Sequence, residues 1–111
     1  MLVSFDIDGT MEFGHPPGPV TIEFVRALAA DGHVVGSASD RTRSDQENLW
    51  SAAGVDVAFV GGKHHLHEVR DRFPADRRVH IGDTHVDEHF ARLAGFEFCW
   101  VDDWQSVQRE A

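Results

Sequence analysis

Asp6 and Asp8 stand one residue apart at the end of the apolar run 2–5 and are followed at once by Gly9 and Thr10. The chain already holds 19 acidic residues against 10 basic ones, a formal net charge of −9, so an adjacent pair of carboxylates repels unless a cation compensates. Groups suited to the same chemistry occur in three other stretches. Ser39, Asp40 and Arg41 follow the run 33–38, Lys63 follows Gly61 and Gly62, and Asp83 and Asp87 lie in "HIGDTHVD". Lys63 is the only lysine, the other nine basic residues being arginine, and a compact ammonium is not interchangeable with a guanidinium. Four carboxylates, a hydroxyl and an ammonium meeting at one mouth would accept a divalent cation. Oxygen-only ligands favour Mg²⁺, commonly held by one or two carboxylates together with a phosphate. The chemistry this predicts is phosphoryl transfer. One carboxylate of the pair binds the metal and attacks phosphorus in line; the other protonates the leaving oxygen and then deprotonates water. Ser39 donates to a phosphoryl oxygen, and Lys63 neutralises the charge on the transferring group.

For these residues to converge, the elements between them must bring four chain segments to one edge of a sheet. The run 2–5 reads as a strand, and residues 9–19 hold three prolines and three glycines, which force a loop. A helix is predicted over 20–30, with Phe24, Val25, Leu28 and Ala29 on one face and Gly32 beyond its end. A second strand follows over 33–39. Ser44 and Glu47 have capping-box spacing, opening a helix that bears Leu49, Trp50 and Ala53 and closes at Gly54. Residues 55–60 read as a third strand, 63–72 as a helix stopped by Pro74, 77–83 as a fourth strand, 86–95 as a helix, 96–101 as a fifth strand and 102–111 as a short helix or tail. Strands separated by helices predict parallel pairing through right-handed crossovers: a doubly wound, Rossmann-like three-layer α/β sandwich with a five-stranded parallel sheet. Ligands of such sheets gather outside the carboxyl ends of the strands, where the acids, Ser39 and Lys63 stand.

The motif "DIDGT" resembles the first motif, DxDGT, of the haloacid dehalogenase-like superfamily of phosphohydrolases. The strand closed by Ser39 is similar to the second motif, Lys63 at a helix start to the third, and "HIGDTHVD" to the fourth, GDxxxD. All four occur in the family's order and span residues 2 to about 101. The resemblance implies Asp6 as nucleophile and metal ligand, Asp8 as acid/base with its backbone carbonyl on the metal, and Ser39 and Lys63 on the phosphoryl group. It further implies Asp83 as a direct Mg²⁺ ligand and Asp87 as a ligand directly or through water. Because the dehalogenases lack the second acid, Asp8 points to a Mg²⁺-dependent phosphomonoester hydrolase working through an aspartyl-phosphate. Family members often carry a cap domain, but only 28 residues separate Thr10 from Ser39 and 23 separate Ser39 from Lys63, which leaves no room for one. An uncapped mouth resembles members that act on bulky or macromolecular phosphates or that close the site through an oligomer, and the Pro-rich loop 12–19 is the one local segment that could cover it.

Gly9, Thr10, Asp40 and Arg41 complete the expected substrate-binding set, with solvated loop charges as the alternative for Asp40 and Arg41. Ser37 is an alternative owner of the role given to Ser39. The bland reading of Asp87 is an acid in a first helical turn, favoured by the helix dipole. Asp102 and Asp103 read as surface acids, and Trp50, Trp100 and Trp104 as packing. His64, His65 and His67 lack the i, i+4 spacing of a helical metal site. The acidic balance argues against general nucleic-acid binding. At 111 residues, 41 % hydrophobic, without a membrane-length apolar run or a signal-peptide pattern, the chain is expected to be one cytoplasmic domain. Its lone Cys99 cannot form an internal disulfide. Two rivals remain. One is a non-catalytic phosphate- or partner-binding module with the same fold; the other is a response-regulator receiver, weakened because Gly61 and Gly62 stand where its phosphoacceptor would be.

Overall fold

The computed structural model describes residues 1–109; the end of the predicted terminal tail, residues 110–111, lies outside the described residues. Among the described residues five strands form one parallel sheet: β1 (Leu2–Phe5), β2 (Val34–Ala38), β3 (Phe59–Gly61), β4 (Arg78–Gly82) and β5 (Glu97–Trp100), in the order β3-β2-β1-β4-β5. The central strand pairs on both sides, Leu2 with Val34 and Arg78 and Phe5 with Ser37 and Ile81, so all the carboxyl ends open at one edge. Helices α1 (Ile22–Ala30), α2 (Arg43–Ala53), α3 (Leu66–Arg72), α4 (His85–Leu93) and α5 (Ser106–Arg109) complete a Rossmann-like three-layer sandwich. None of the described helices is long and apolar enough to cross a membrane.

Side chains alternate across a strand, and the core divides accordingly. Val3, Phe5, Val35, Val79 and Ile81 pack with Phe24, Val25 and Leu28 of α1, Trp50 of α2 and Val107 of α5. On the other side Leu2, Ala38 and Phe59 meet Leu66 and Val69 of α3 and Ala91 and Ala94 at the end of α4. The sheet switches direction between β1 and β4, where α1 and α2 lie over one face and α3 and α4 over the other. That crevice is where a doubly wound sheet collects ligands.

Three predicted boundaries move. The cap of α2 is Thr42, whose Oγ1 accepts from Asp45 N at 3.1 Å, rather than Ser44; Thr42 keeps extended dihedrals, so the helix starts at Arg43. The third strand is only Phe59–Gly61: Val55 N bonds back to Trp50 O at 3.1 Å, and Val55 and Val57 pack into the core instead of a ladder. Lys63–His65 forms a 3₁₀ turn before α3. The loop after β1 is also more ordered than a lid. Gly9 N donates to Pro16 O at 2.7 Å, Gly18 N to Met11 O at 2.9 Å, Glu12 N to Val20 O at 2.8 Å and Ile22 N to Glu12 Oε2 at 2.6 Å. Gly18 lies so close to Thr10 that a Cβ would run into its backbone. The loop is tied to itself and, through His15 N at 2.8 Å, to the Asp8 carboxylate.

Candidate functional site

Asp6 leaves the end of β1 with its N–H donating to Ile81 O at 2.9 Å, which fixes it beside β4. It is 4 % exposed. Asp83, one residue past β4, and Asp87, in the first turn of α4, turn towards it, and one carboxylate oxygen from each of the three lies within 4.8 Å of the others. Gly9 makes this approach possible: its φ is +76° and a Cβ there would collide with Asp83 Oδ2. Lys63, 5 % exposed, comes from beyond β3 and places Nζ 3.1 Å from Asp87 Oδ1, 3.6 Å from Asp6 Oδ1 and 3.9 Å from Asp40 Oδ2. Burial alone would lower the Lys63 pKa, but Asp6 and then Asp87 outweigh it and raise it, so the group is an ammonium.

Asp87 is held from four directions. Oδ1 accepts from His80 Nε2 at 2.9 Å and faces the lysine; Oδ2 accepts from Thr84 Oγ1 at 2.7 Å and from Thr84 N at 3.2 Å. Thr84 Oγ1 in turn accepts from Asp87 N at 3.2 Å, a capping box, so the helix-cap reading of Asp87 and its place in the acid cluster both hold. A carboxylate offers about four lone-pair sites, and these donors take them all. Burial works to raise Asp87, yet hydrogen bonding and charge from His80, then Thr84 and Lys63, bring it down to about 2. Asp6 behaves oppositely. Burial first, then the charge of Asp87, push it up to about 8, against the pull of Lys63, and a hydrogen bond shared with Asp83 adds to the rise. Crowding therefore favours a shared proton in the cluster when no cation is bound, with Asp6 raised and Asp87 lowered.

Asp8 points elsewhere. Its carboxylate takes Arg41 Nε at 3.0 and 3.2 Å, an Arg41 terminal nitrogen at 2.9 Å and His15 N at 2.8 Å, and it is not part of the acid cluster among the described residues. Partial burial would raise it, but Arg41 and the His15 N–H outweigh that and hold it below the ordinary carboxylate range. Ser39 is buried at the end of β2 and its Oγ accepts from Arg41 N at 3.1 Å. Ser37, one strand period earlier, is committed to packing: its Oγ donates to Gln46 Oε1 at 2.7 Å and accepts from Trp50 Nε1 at 2.9 Å. Of the two serines only Ser39 stands at the mouth. Asp40 is exposed, reaching Lys63 only at 3.9 Å. Thr10 is fully buried, and its Oγ1 has no hydrogen-bond partner among the described residues.

Sequence reasoning missed Gln46, His80, Ser4 and Thr84. Gln46 is fully buried and its Nε2 donates to Arg41 O at 2.8 Å and Gly61 O at 3.0 Å, tying the loop after β2 to the end of β3 and so spacing Ser39 from Lys63. Its signal is the four-residue step to Trp50, which puts both on one helical face.

The three acids suit a hard divalent cation on structural grounds. Their donors are all oxygen, three carboxylates crowd without full compensation, and Asp83 Oδ1 is buried with no hydrogen-bond partner among the described residues. The fold and site define an α/β protein with an acid-and-ammonium cluster at its topological switch point. No family model matches the chain, and neither a curated protein nor a solved structure does.

Proposed function

We propose that this protein is a Mg²⁺-dependent phosphomonoester hydrolase of haloacid dehalogenase-like type, working through an aspartyl-phosphate on Asp6. The observation that carries the reading is the meeting of Asp6, Asp83 and Asp87 with the Lys63 ammonium at the end of the central strand. Asp6 and Asp83, with the backbone carbonyl of Asp8, would hold Mg²⁺ directly, and Asp87, whose oxygens are taken by His80, Thr84 and Lys63, would contribute its charge and hold the Lys63 ammonium in place. The cation, when bound, supplies positive charge that keeps Asp6 ionised and polarises the phosphoryl oxygens.

Asp6 Oδ attacks phosphorus as the bond from phosphorus to the leaving oxygen breaks, and Asp8 gives that oxygen its proton. Water then attacks the phosphorus of the aspartyl-phosphate, losing a proton to Asp8, and the bond to Asp6 breaks to release phosphate. Lys63 and Ser39 stabilise the charge on the three equatorial oxygens. In the resting geometry Asp8 is a carboxylate clamped by Arg41, suited to the second step; giving a proton in the first requires that it leave Arg41. The segments 11–38 and 40–62 are used up by the tied loop, α1, β2, α2 and β3, so the mouth is open to bulky phosphate esters.

The clamp on Asp8 favours a second reading, a phosphate-binding module without turnover. Both are tested by phosphate release from an aryl phosphate with and without Mg²⁺. The hydrolase reading expects Mg²⁺-dependent release that Asp6→Asn abolishes. Equal release by Asp6→Asn sinks the nucleophile assignment, and phosphate binding without release across a broad panel of esters supports the binding module.

A further inference from the structure

Beneath the acid cluster runs a polar chain that the proposed chemistry leaves unused. His80, on β4, is 0 % exposed. Its Nδ1 lies 2.9 Å from Ser4 Oγ on β1 and its Nε2 lies 2.9 Å from Asp87 Oδ1. An ionised Asp87 only accepts, so Nε2 carries the proton and Nδ1 accepts the Ser4 hydroxyl; one tautomer satisfies both contacts. The order serine, histidine, aspartate is not a nucleophilic triad here, because Ser4 is 0 % exposed inside the sheet and no substrate reaches it. Nor is hydrocarbon lacking as an alternative: strands buried on both faces are ordinarily runs of Val, Ile and Leu, and burying an imidazole and a hydroxyl costs free energy unless each is bonded. Two polar residues paired across adjacent strands, Ser4 opposite His80 in the register, therefore call for a reason.

The geometry of Asp87 supplies one. Thr84 fixes Oδ2 from the helix start, while Oδ1 faces Lys63, whose four-carbon stem is too flexible to set an orientation by itself. His80 is the rigid donor on that oxygen, locked by the strand below it and by Ser4. We propose that His80 is a positioning residue for the acid cluster: through Nε2 it fixes Asp87, which in turn places the Lys63 ammonium between Asp87 and Asp6, so that cation binding depends on a buried imidazole one residue layer below the mouth. The inference rests on the metal-dependent reading above. It follows the general behaviour of groups that orient a metal's ligands, whose loss weakens metal affinity or activity by about 10–100-fold.

The test measures Mn²⁺ binding to the otherwise metal-free protein from the EPR signal of free Mn²⁺. His80→Leu is expected to weaken Mn²⁺ by about 10–100-fold. His80→Gln, whose amide nitrogen reaches the place of Nε2, restores most of the affinity, whereas His80→Asn, which reaches only the place of Nδ1, does not. Unchanged affinity in His80→Leu, or equal losses in the Gln and Asn variants, overturns the inference. A second measurement needs no variant to fold. In the wild-type protein the His80 Nε2 proton, followed by ¹H–¹⁵N correlation, is expected to shift on addition of Mg²⁺ and to saturate with it; a resonance unmoved at saturating Mg²⁺ overturns the inference. Wild-type protein that binds neither ion overturns the metal-dependent reading and the inference together, a pattern distinct from wild-type affinity that survives His80→Leu, which sinks the inference alone.

Discussion

β1 turns Val3 and Phe5 to one side of the sheet and Leu2, Ser4 and Asp6 to the other; β4 repeats the division, with Val79 and Ile81 opposed to His80. The first side is closed by α1, α2 and α5 with hydrocarbon and aromatic rings, among them the edge-on pairs of Phe24 with Phe5 and with Trp104. The second is closed by α3 and α4 over a smaller apolar cluster, and a line of bonded polar groups runs through it from Ser4 through His80 and Asp87 to Lys63 and Asp6. The difference separates two jobs within one sheet. Apolar burial on one face holds the fold, at roughly 25 cal/mol per Å² removed from water, and the other face gives up some of that burial to aim charges.

If the division is real, truncation of the hydrocarbon face should cost stability above all. Phe5→Ala is expected to destabilise by about 3–5 kcal/mol, read from urea midpoints, and a cost equal to that of a surface substitution would break the comparison. The polar face should instead show itself through pH. In metal-free protein the folded-state value for Asp6 is near 8 against an ordinary 3.8. The native state then binds more protons than the unfolded chain between those values, so stability falls as pH rises across that window. Asp87 works at the other end: its depressed value adds stability that is present above the ordinary carboxylate range and is lost as pH falls towards 2. Metal-free stability should therefore peak near the lower edge of the Asp6 window and decline by a few kcal/mol towards its upper edge, and saturating Mg²⁺ should flatten that decline. Denaturation at a series of pH values decides it, and a flat metal-free profile would remove the crowding argument.

Lys63→Arg keeps the charge but not the compact ammonium, and a fall in kcat of about 10²-fold is expected with Mg²⁺ saturating; unchanged kcat would show that any cation serves. The smallest effect belongs to Leu93, which is 72 % exposed on α4. Leu93→Ser should change stability by less than about 0.5 kcal/mol, sharpening the contrast with Phe5.

The layer order of the molecule was legible because strand and helix periods alternate cleanly along the chain and every helix interval is too short for anything else. The mouth was legible for a different reason: Asp6, Asp83 and Lys63 stand just past three strands whose carboxyl ends a parallel sheet brings to one edge. What lay hidden had ordinary local explanations. Ser4 and His80 are single polar residues inside apolar runs, and nothing local says that residues 76 positions apart share a hydrogen bond. Gln46 shares its helical face with Trp50, yet nothing local says that an amide there is fully buried and bonded to two carbonyls. Thr42 and Ser44 are equally good caps by type, and only the backbone angle at Thr42 decides between them. The pairing of Asp8 with Arg41 joins two residues that the sequence placed in one site without showing that each would occupy the other.

The loop after β1, tied to itself at Gly9, Met11, Glu12 and Gly18 and to Asp8 through His15, gives the mouth an ordered rim. For the esters of the proposed reaction, encounter takes place in the protein's own field, and a net charge of −9 repels such anions at long range. Added salt, which shortens the reach of the repulsion to about 10 Å at 0.1 M, should therefore speed encounter with anionic substrates, the reverse of its effect on proteins that steer their ligands by attraction.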